Sequence, residues 1–393
     1  MALQFTRNAN VYVQLTDGAA NPASVAVWKL TVLDGFSFTQ SINSSEITIN
    51  EAGTISRRAR LLFNDSLAPV EWSMSTYARP FINTDETSPT NQVRCPEEAL
   101  WAMLLGADEY TAGVFSNSII SDTGSPLEAS SPAVNDINTV GTTTNEFNFR
   151  ASNVSSLSDR WNIFFAFEDG TNKQYYRLNK SVVNSASIDF DIDGIATIAW
   201  SGFAQGLEDL GTSTPSALGN AITGGIDQSD NFIRNRISTL DLDWAQASHS
   251  PNPDTYELVL TGGNFTIENN VSYLTPEELG IVNSPLANIT GARSISGSLT
   301  CYLDNDEANS KSGELFKDLV SDTTTVRNVF DMSINIGGET ASTPRIAFDL
   351  PSAHLEVPVI NVEDLLTLEV NFHGQPSGGD VDNTDEATII YKA

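Results

Sequence analysis

Apolar and polar residues alternate in short runs along this chain far more often than they recur at helical spacing. Val70, Trp72 and Met74 alternate with Glu71, Ser73 and Ser75, and Ile295, Leu299, Cys301 and Leu303 alternate with Ser294, Ser296, Ser298 and Thr300. A period of two sends successive side chains to opposite faces of a pleated strand, so each run predicts a strand with one buried and one wet face. Two segments carry a helical stripe instead. Pro96 to Glu109 opens with proline at a first helical position and has Glu97 and Glu98 where the helix dipole favours acids. It groups Leu100, Trp101, Leu104 and Leu105 and reaches Gly106 as a stop. Ser312 to Asp322 repeats the plan, with Ser312 as a cap, Glu314 in the first turn and Leu315, Phe316, Leu319 and Val320 as the stripe.

These elements recur in the same order twice. LTVLDGFSFTQ (Leu30 to Gln40) pairs with ELVLTGGNFTI (Glu257 to Ile267), each an apolar run, glycine, and an alternation ending in Phe38 or Phe265. A long polar stretch follows in each, Ser41 to Arg57 and Glu268 to Ala292, then the alternating strand, then the helix. RWNIFFAFEDG (Arg160 to Gly170) matches VFDMSINIGGE (Val329 to Glu339), and a closing strand ends each copy. Trp161 to Phe330 and Phe203 to Phe372 are both separations of 169 residues. The expected fold class is α+β and β-rich, with two tandem β-sandwich or barrel domains, each with one flanking α-helix. The expected division is an N-terminal arm at 1–24, a first domain at 25–206 with a Ser/Thr/Asn/Gly-rich insertion at 116–144, a linker at 207–230 and a second domain at 231–393.

Composition narrows the function. Of 393 residues, 50 are Asp or Glu and 20 are Lys or Arg, a formal charge of −30. Such a surface repels phosphates, which disfavours nucleic-acid binding driven by counterion release. Cys95 and Cys301 are too few and too far apart for a disulfide framework or a zinc site, and free thiols are expected. The N-terminus MALQFTRNANVYV lacks a basic segment followed by an apolar one, and no run of about 18 apolar residues occurs. These features predict a chain made in the cytoplasm, with no membrane partner.

Catalytic and ligand motifs are missing. The three histidines, His249, His354 and His373, form no HExxH pair, and there is no GxSxG, GxxxxGK[ST] or GxGxxG. DFDIDG (Asp189 to Gly194) copies the start of a calcium loop, but the twelfth position, which needs an acid, is Trp200. It reads as a strand with Ile188, Phe190 and Ile192 inward and Asp189, Asp191 and Asp193 outward; DNDE (Asp304 to Glu307) reads as an acidic turn. The six tryptophans are spread through apolar contexts rather than clustered as a sugar platform. No cofactor, metal or catalytic residue is expected.

RARLLFNDSLAPVEWSMSTYARPF (Arg58 to Phe81) resembles phage tail tube proteins in which an Arg-rich turn leads to "APVEWS" and then "STY", and PEEALWAMLLGAD (Pro96 to Asp108) is similar to the helix that follows. The second copy departs from this, with GARSISGSLT (Gly291 to Thr300) in place of "APVEWS". The order of elements is similar to the tail tube fold shared by siphophage and myophage tubes and contractile injection systems. The doubled chain looks like the siphophage tube subunit whose tube is built from trimers. That resemblance implies a non-enzymatic virion protein, assembled in the host cytoplasm, in which three chains close a pseudo-hexameric ring and rings stack into the channel for DNA ejection. The partners it implies are further copies of the chain, tape-measure and tail tip or terminator proteins, and genomic DNA that passes without specific binding. Within the two polar stretches, Glu46, Ile47, Thr48, Ile49, Tyr273, Leu274, Glu277 and Glu278 are the candidate ring-to-ring contacts, suited to strand addition. The competing readings are a phage surface decoration protein or adhesin that binds glycan or calcium, and a polysaccharide-degrading enzyme.

Overall fold

A computed structural model describes residues 8–19, 23–47, 61–83, 92–111, 113–118, 138–140, 146–150, 157–169, 172–222, 231–244, 255–305, 311–321, 328–338, 344–362, 365–377 and 385–393. In the first half the elements are β1 (Ala9–Thr16), β2 (Ser24–Leu30), β3 (Ser37–Thr39), β4 (Ile42–Ile47), β5 (Leu61–Leu67), β6 (Val70–Tyr77), β7 (Phe81–Asn83) and β8 (Gln92–Arg94). They continue with α1 (Glu98–Leu104), β9 (Glu109–Thr111), β10 (Val114–Ser116), β11 (Asn138–Val140), β12 (Glu146–Arg150), β13 (Trp161–Asp169), β14 (Asn172–Asp191) and β15 (Thr197–Gly211). The second half has β16 (Thr239–Trp244), β17 (Leu260–Glu268), β18 (Val271–Leu274), β19 (Ala287–Thr290), β20 (Ser294–Tyr302) and α2 (Ser312–Ser321). It closes with β21 (Phe330–Ile336), β22 (Arg345–Leu355), β23 (Val359–Val362), β24 (Leu366–Gly374) and β25 (Thr388–Lys392). The protein is β-rich α+β, as expected, and its sheets are open.

Both halves follow one strand path. Every step of β1–β13–β14–β15–β6–β3 is antiparallel, and so is every step of β16–β21–β22–β24–β20–β17. The register agrees at the start of the path. Leu15, Val13 and Val11 face Trp161, Ile163 and Phe165, while Trp244, Leu242 and Leu240 face Phe330, Met332 and Ile334. All twelve side chains are buried, so the 169-residue frame holds here.

It fails at the closing strand. Ile198, Trp200, Gly202 and Ala204 are the buried set of β15, and Phe203 lies on the other face against Tyr273. In β24 the buried set is Leu368, Val370 and Phe372. A one-residue slip exchanges the faces of a strand, and the halves break their registers at different points: after Tyr175 and Val183 in the first, after Phe330 and Leu260 in the second.

Two junctions merge the halves. The tip of β14 pairs with β17, from Ser185 opposite Glu268 to Asp191 opposite Gly262. Gly263 is required at this seam, because a Cβ there would lie 2.6 Å from the Phe190 ring and 2.5 Å from the Ser298 carbonyl oxygen. The C-terminal strand β25 is the second junction, pairing with β22 on one side and with β12 of the first half on the other. One buried cluster therefore runs through both halves. The region expected as an N-terminal arm contributes β1, a core strand with Val11, Val13 and Leu15 fully buried. The stretch expected as a linker starts with the end of β15, and its Leu218 packs on Val27, Phe164 and Tyr175.

Helix α1 sits where the junctions converge. It is shorter than its stripe predicted, and every residue from Glu98 to Leu104 is buried. Trp101 meets Trp200 edge-on at 4.7 Å and also reaches Phe348 of the second half at 6.5 Å. Its indole N–H donates to the Tyr391 hydroxyl (2.8 Å), which donates to Glu97 Oε1 (2.6 Å). Arg94 donates to Glu98 Oε1 and to the Gly113 carbonyl, and the Trp28 indole N–H also reaches Glu98 Oε1 at 2.8 Å. Helix α2 buries Leu315 and Leu319, but Val320, expected in its stripe, is 53% exposed. Ser312 does not cap it: its hydroxyl donates to the Tyr302 carbonyl and accepts from the Asp304 amide, pinning the helix start to β20. Both cysteines are free and buried.

Burial pushes the Glu97 carboxyl up from the usual carboxylate range to about 7, although the Tyr391 hydrogen bond opposes the rise. A carboxyl raised on folding binds more protons folded than unfolded, so its contribution is full below the unfolded pKa and declines as pH rises through 7. Glu97→Gln keeps the acceptor for Tyr391 and removes the titration. Chemical denaturation of both proteins between pH 5 and pH 8 is expected to show the wild type losing on the order of 3 kcal/mol relative to the variant.

Candidate functional site

Each of the two polar stretches of the sequence supplies strand to an antiparallel pair, the first together with β5 just beyond it. β4 pairs with β5, and β18 with β19. Their polar residues alternate with apolar ones that the fold leaves in solvent. Ile42, Leu61, Leu62 and Phe63 are at least half exposed on the first hairpin. On the second, Leu274, Ile281, Val282, Leu286 and Ile289 are exposed and Leu279 is 100% exposed. Contiguous exposed apolar groups mark interaction surfaces.

The two hairpins are stitched together. The loop after β18 lies along β5, where the Leu67 amide donates to the Asn283 carbonyl (2.7 Å) and the Asn283 amide donates to the Asp65 carbonyl (3.0 Å). Asn283 Oδ1 also accepts from the Glu278 amide, which holds the loop's own turn. From β15, Gln205 Nε2 donates to the Pro285 carbonyl at 2.8 Å.

Several residues expected to make contacts lie on this surface. Glu46, Leu274, Glu277 and Glu278 are exposed, and Ile47 closes β4. Thr48 and Ile49 fall outside the described residues. Tyr273 instead anchors the base of its hairpin: its ring packs on Phe203 and its hydroxyl donates to the Lys180 carbonyl (3.3 Å). The larger apolar groups, Leu61 to Phe63 and Leu279 to Val282, escaped the sequence reading. The available signal was three consecutive apolar residues at Leu61 to Phe63, since a strand with one wet face cannot bury all three.

The other candidates resolve into core and turn. Ile188 and Phe190 are buried and Asp189 and Asp191 exposed, but Ile192 has left the strand for a turn and is 46% exposed, against expectation. Trp200 donates its indole N–H to Thr76 Oγ1 inside the core. All six tryptophans are buried. His354 and His373 are cross-strand neighbours, with His373 Nε2 3.3 Å from Glu356 Oε1, and His249 is outside the described residues. Among the described residues, no group of three His, Cys, Asp or Glu could hold a metal, and no helix is long and apolar enough to cross a membrane.

The family model described as phage tail tube protein matches residues 83–381. The tail tube protein pb6 of Escherichia phage T5 is 30% identical over 396 residues, an alignment that takes in 100% of this chain and 76% of that protein. The chain belongs to the phage tail tube protein family. This tube protein is thus a structural part of a phage tail, and its exposed hairpins belong to an assembly component rather than to a solitary protein.

Of the two backbone donors in the loop–β5 contact, the one on the loop can be removed. Asn283→Pro deletes the amide that bonds Asp65. Hydrogen–deuterium exchange is expected to show the amides of 61–67 losing at least about tenfold of their protection while β13 and β21 keep theirs.

Proposed function

We propose that this protein is the major tail tube subunit of a siphophage, a non-enzymatic chain carrying two copies of one tube module. The observation that carries this reading is the shared strand path, β1–β13–β14–β15–β6–β3 and β16–β21–β22–β24–β20–β17. A chain with two like modules needs three copies to make a ring of six similar positions. Heterologous contacts of this kind close into rings when the rotation allows.

Rings then stack head to tail through the hairpins. Glu46, Ile47, Thr48, Ile49, Leu274, Glu277 and Glu278 lie in or beside these contacts, and the exposed leucines supply apolar area. The loop of the second hairpin already adds itself to β5 within one chain, the same mode by which a hairpin from the next ring would join. Tape-measure protein inside the bore and tip and terminator proteins at the ends complete the tail. Acidity suits the bore: three chains carry a formal charge near −90 (3 × −30). Carboxylates facing DNA phosphates let the genome slide without binding.

Negative-stain electron microscopy of the purified chain is expected to show hollow rings or filaments, and a protein that stays a featureless monomer at all concentrations sinks the reading. Leu279→Asp together with Leu62→Asp is expected to leave the melting temperature within about 2 °C, because both side chains are exposed. It should convert filaments to single rings.

A further inference from the structure

The turn that ends β14 meets the second half across a small cleft of about 230 Å³. Asp191 lines it from the first half, Asn235 and Ser238 from the short helical turn Asn235–Ile237 and the residue after it, and Thr261 from β17. Backbone hydrogen bonds hold these walls in place. The Asn235 amide donates to the Gly194 carbonyl (3.3 Å), and the Ser238 amide donates to the Asn235 carbonyl (2.9 Å). Gly194 has φ +129°, and the point where its Cβ would sit lies 3.4 Å from Asp191 Oδ1 and 3.6 Å from Asn235 Nδ2. The carboxylate and the amide therefore flank one spot.

The cleft holds oxygen atoms without partners. Asn235 is 6% exposed, and its Oδ1 is buried with no hydrogen-bond partner. The Ser238 hydroxyl is buried and unpartnered as well. Thr261 Oγ1 gives its proton to the Thr300 carbonyl (3.2 Å) and keeps its lone pairs. A buried amide oxygen costs free energy until something donates to it or is coordinated by it. Together with the Asp191 carboxylate these are hard oxygen ligands, the kind calcium takes. Arg236 stands at the mouth, but its guanidinium lies 3.9 Å from Asp193, which offsets its charge. The volume leaves room for the ion and several of its waters, each about 30 Å³. Magnesium gives up its waters reluctantly, so a site with one carboxylate at its mouth favours calcium.

We infer that this cleft is a calcium site in which Asp191 and Asn235 Oδ1 are ligands, Ser238 and Thr261 add oxygens directly or through water, and solvent completes the shell. The calcium-loop start at Asp189 to Gly194 lacks the acid its twelfth position needs, because that position is Trp200 in the core. In the fold the second half supplies oxygen from Asn235 instead. The ion clasps the β14 turn to the second half where the β14–β17 pairing ends, at Asp191 opposite Gly262. It does so within one chain, independently of any ring. Among the described residues no group of three His, Cys, Asp or Glu forms a metal cage, so the affinity is modest, with Kd on the order of 10⁻⁴ to 10⁻³ M.

Thermal unfolding of the full chain, followed by circular dichroism, tests this. About 5 mM calcium is expected to raise the melting temperature by about 2–4 °C over chelator-treated protein, and about 5 mM magnesium by less than about half as much. Asp191→Asn, at an exposed position, is expected to fold as the wild type does and to need at least about fivefold more calcium for the same rise. Asn235→Leu removes the amide oxygen from the cleft and is expected to lose most of the calcium response, whatever it does to the stability of the metal-free chain. A wild type whose melting temperature ignores calcium overturns the site and leaves only a water on Asn235. An equal rise with magnesium overturns it too, as does a calcium response that either variant keeps in full, because the rise then reports screening of the acidic surface only. Should Asn235→Leu fail to fold, Asp191→Asn decides by itself.

Discussion

Everything in this fold answers to the hydrogen-bonding demand of strand edges. A backbone amide or carbonyl removed from water without a partner costs as much as a lost hydrogen bond, so each long strand must be paired along both sides or left in solvent. β14 shows the solution at its fullest. Twenty residues long, it is paired with β13 along its first part, with β15 along most of its length, and with β17 at its tip. That last pairing makes two β modules into one body. It also explains why Gly263 stands in β17: with Phe190 packed against the backbone, there is no room for a side chain.

The second level of union is the short helix α1. A seven-residue helix gains little from its own hydrogen bonds, and this one survives because it is enclosed. Trp101 touches Trp200 from the first path and Phe348 from the second, and hands a hydrogen bond to Tyr391 on the C-terminal strand. Two acids enter the core with it. Glu98 is neutralised by Arg94, while Glu97 has the Tyr391 hydroxyl and responds by becoming a weaker acid. Buried polar groups of this kind seldom add net stability, but they penalise every arrangement that leaves them unmatched. Here they fix the C-terminal strand against a helix nearly three hundred residues earlier in the chain.

Outward-facing features divide by chemistry. The bulk of the charge is acidic and suits a surface that keeps phosphates at a distance. Apolar exposure is concentrated instead on the two stitched hairpins and on the segment around β23.

By itself the sequence determined the periodicities: the alternation around Trp72 and Leu299, the apolar stripe at Trp101, and the inward Ile188 and Phe190. Those follow from side-chain spacing, which is local and survives into any fold that buries the apolar face. The APVEWS segment and its following helix carried the family. Tertiary structure decided the rest. β1 is a core strand because β13 has an edge for it, whereas its sequence reads equally well as an arm. Val320 and Ile192 match their stripes yet lie outside, because a helix or strand buries only as much as its neighbours cover. Phe203 and Phe372 share a spacing but occupy opposite faces, since bulges set the register and nothing in a run of residues announces a bulge. The partner of each strand edge was also beyond the sequence: pairing joins residues far apart in the chain, so only the folded arrangement reveals which edges are filled and which stay open.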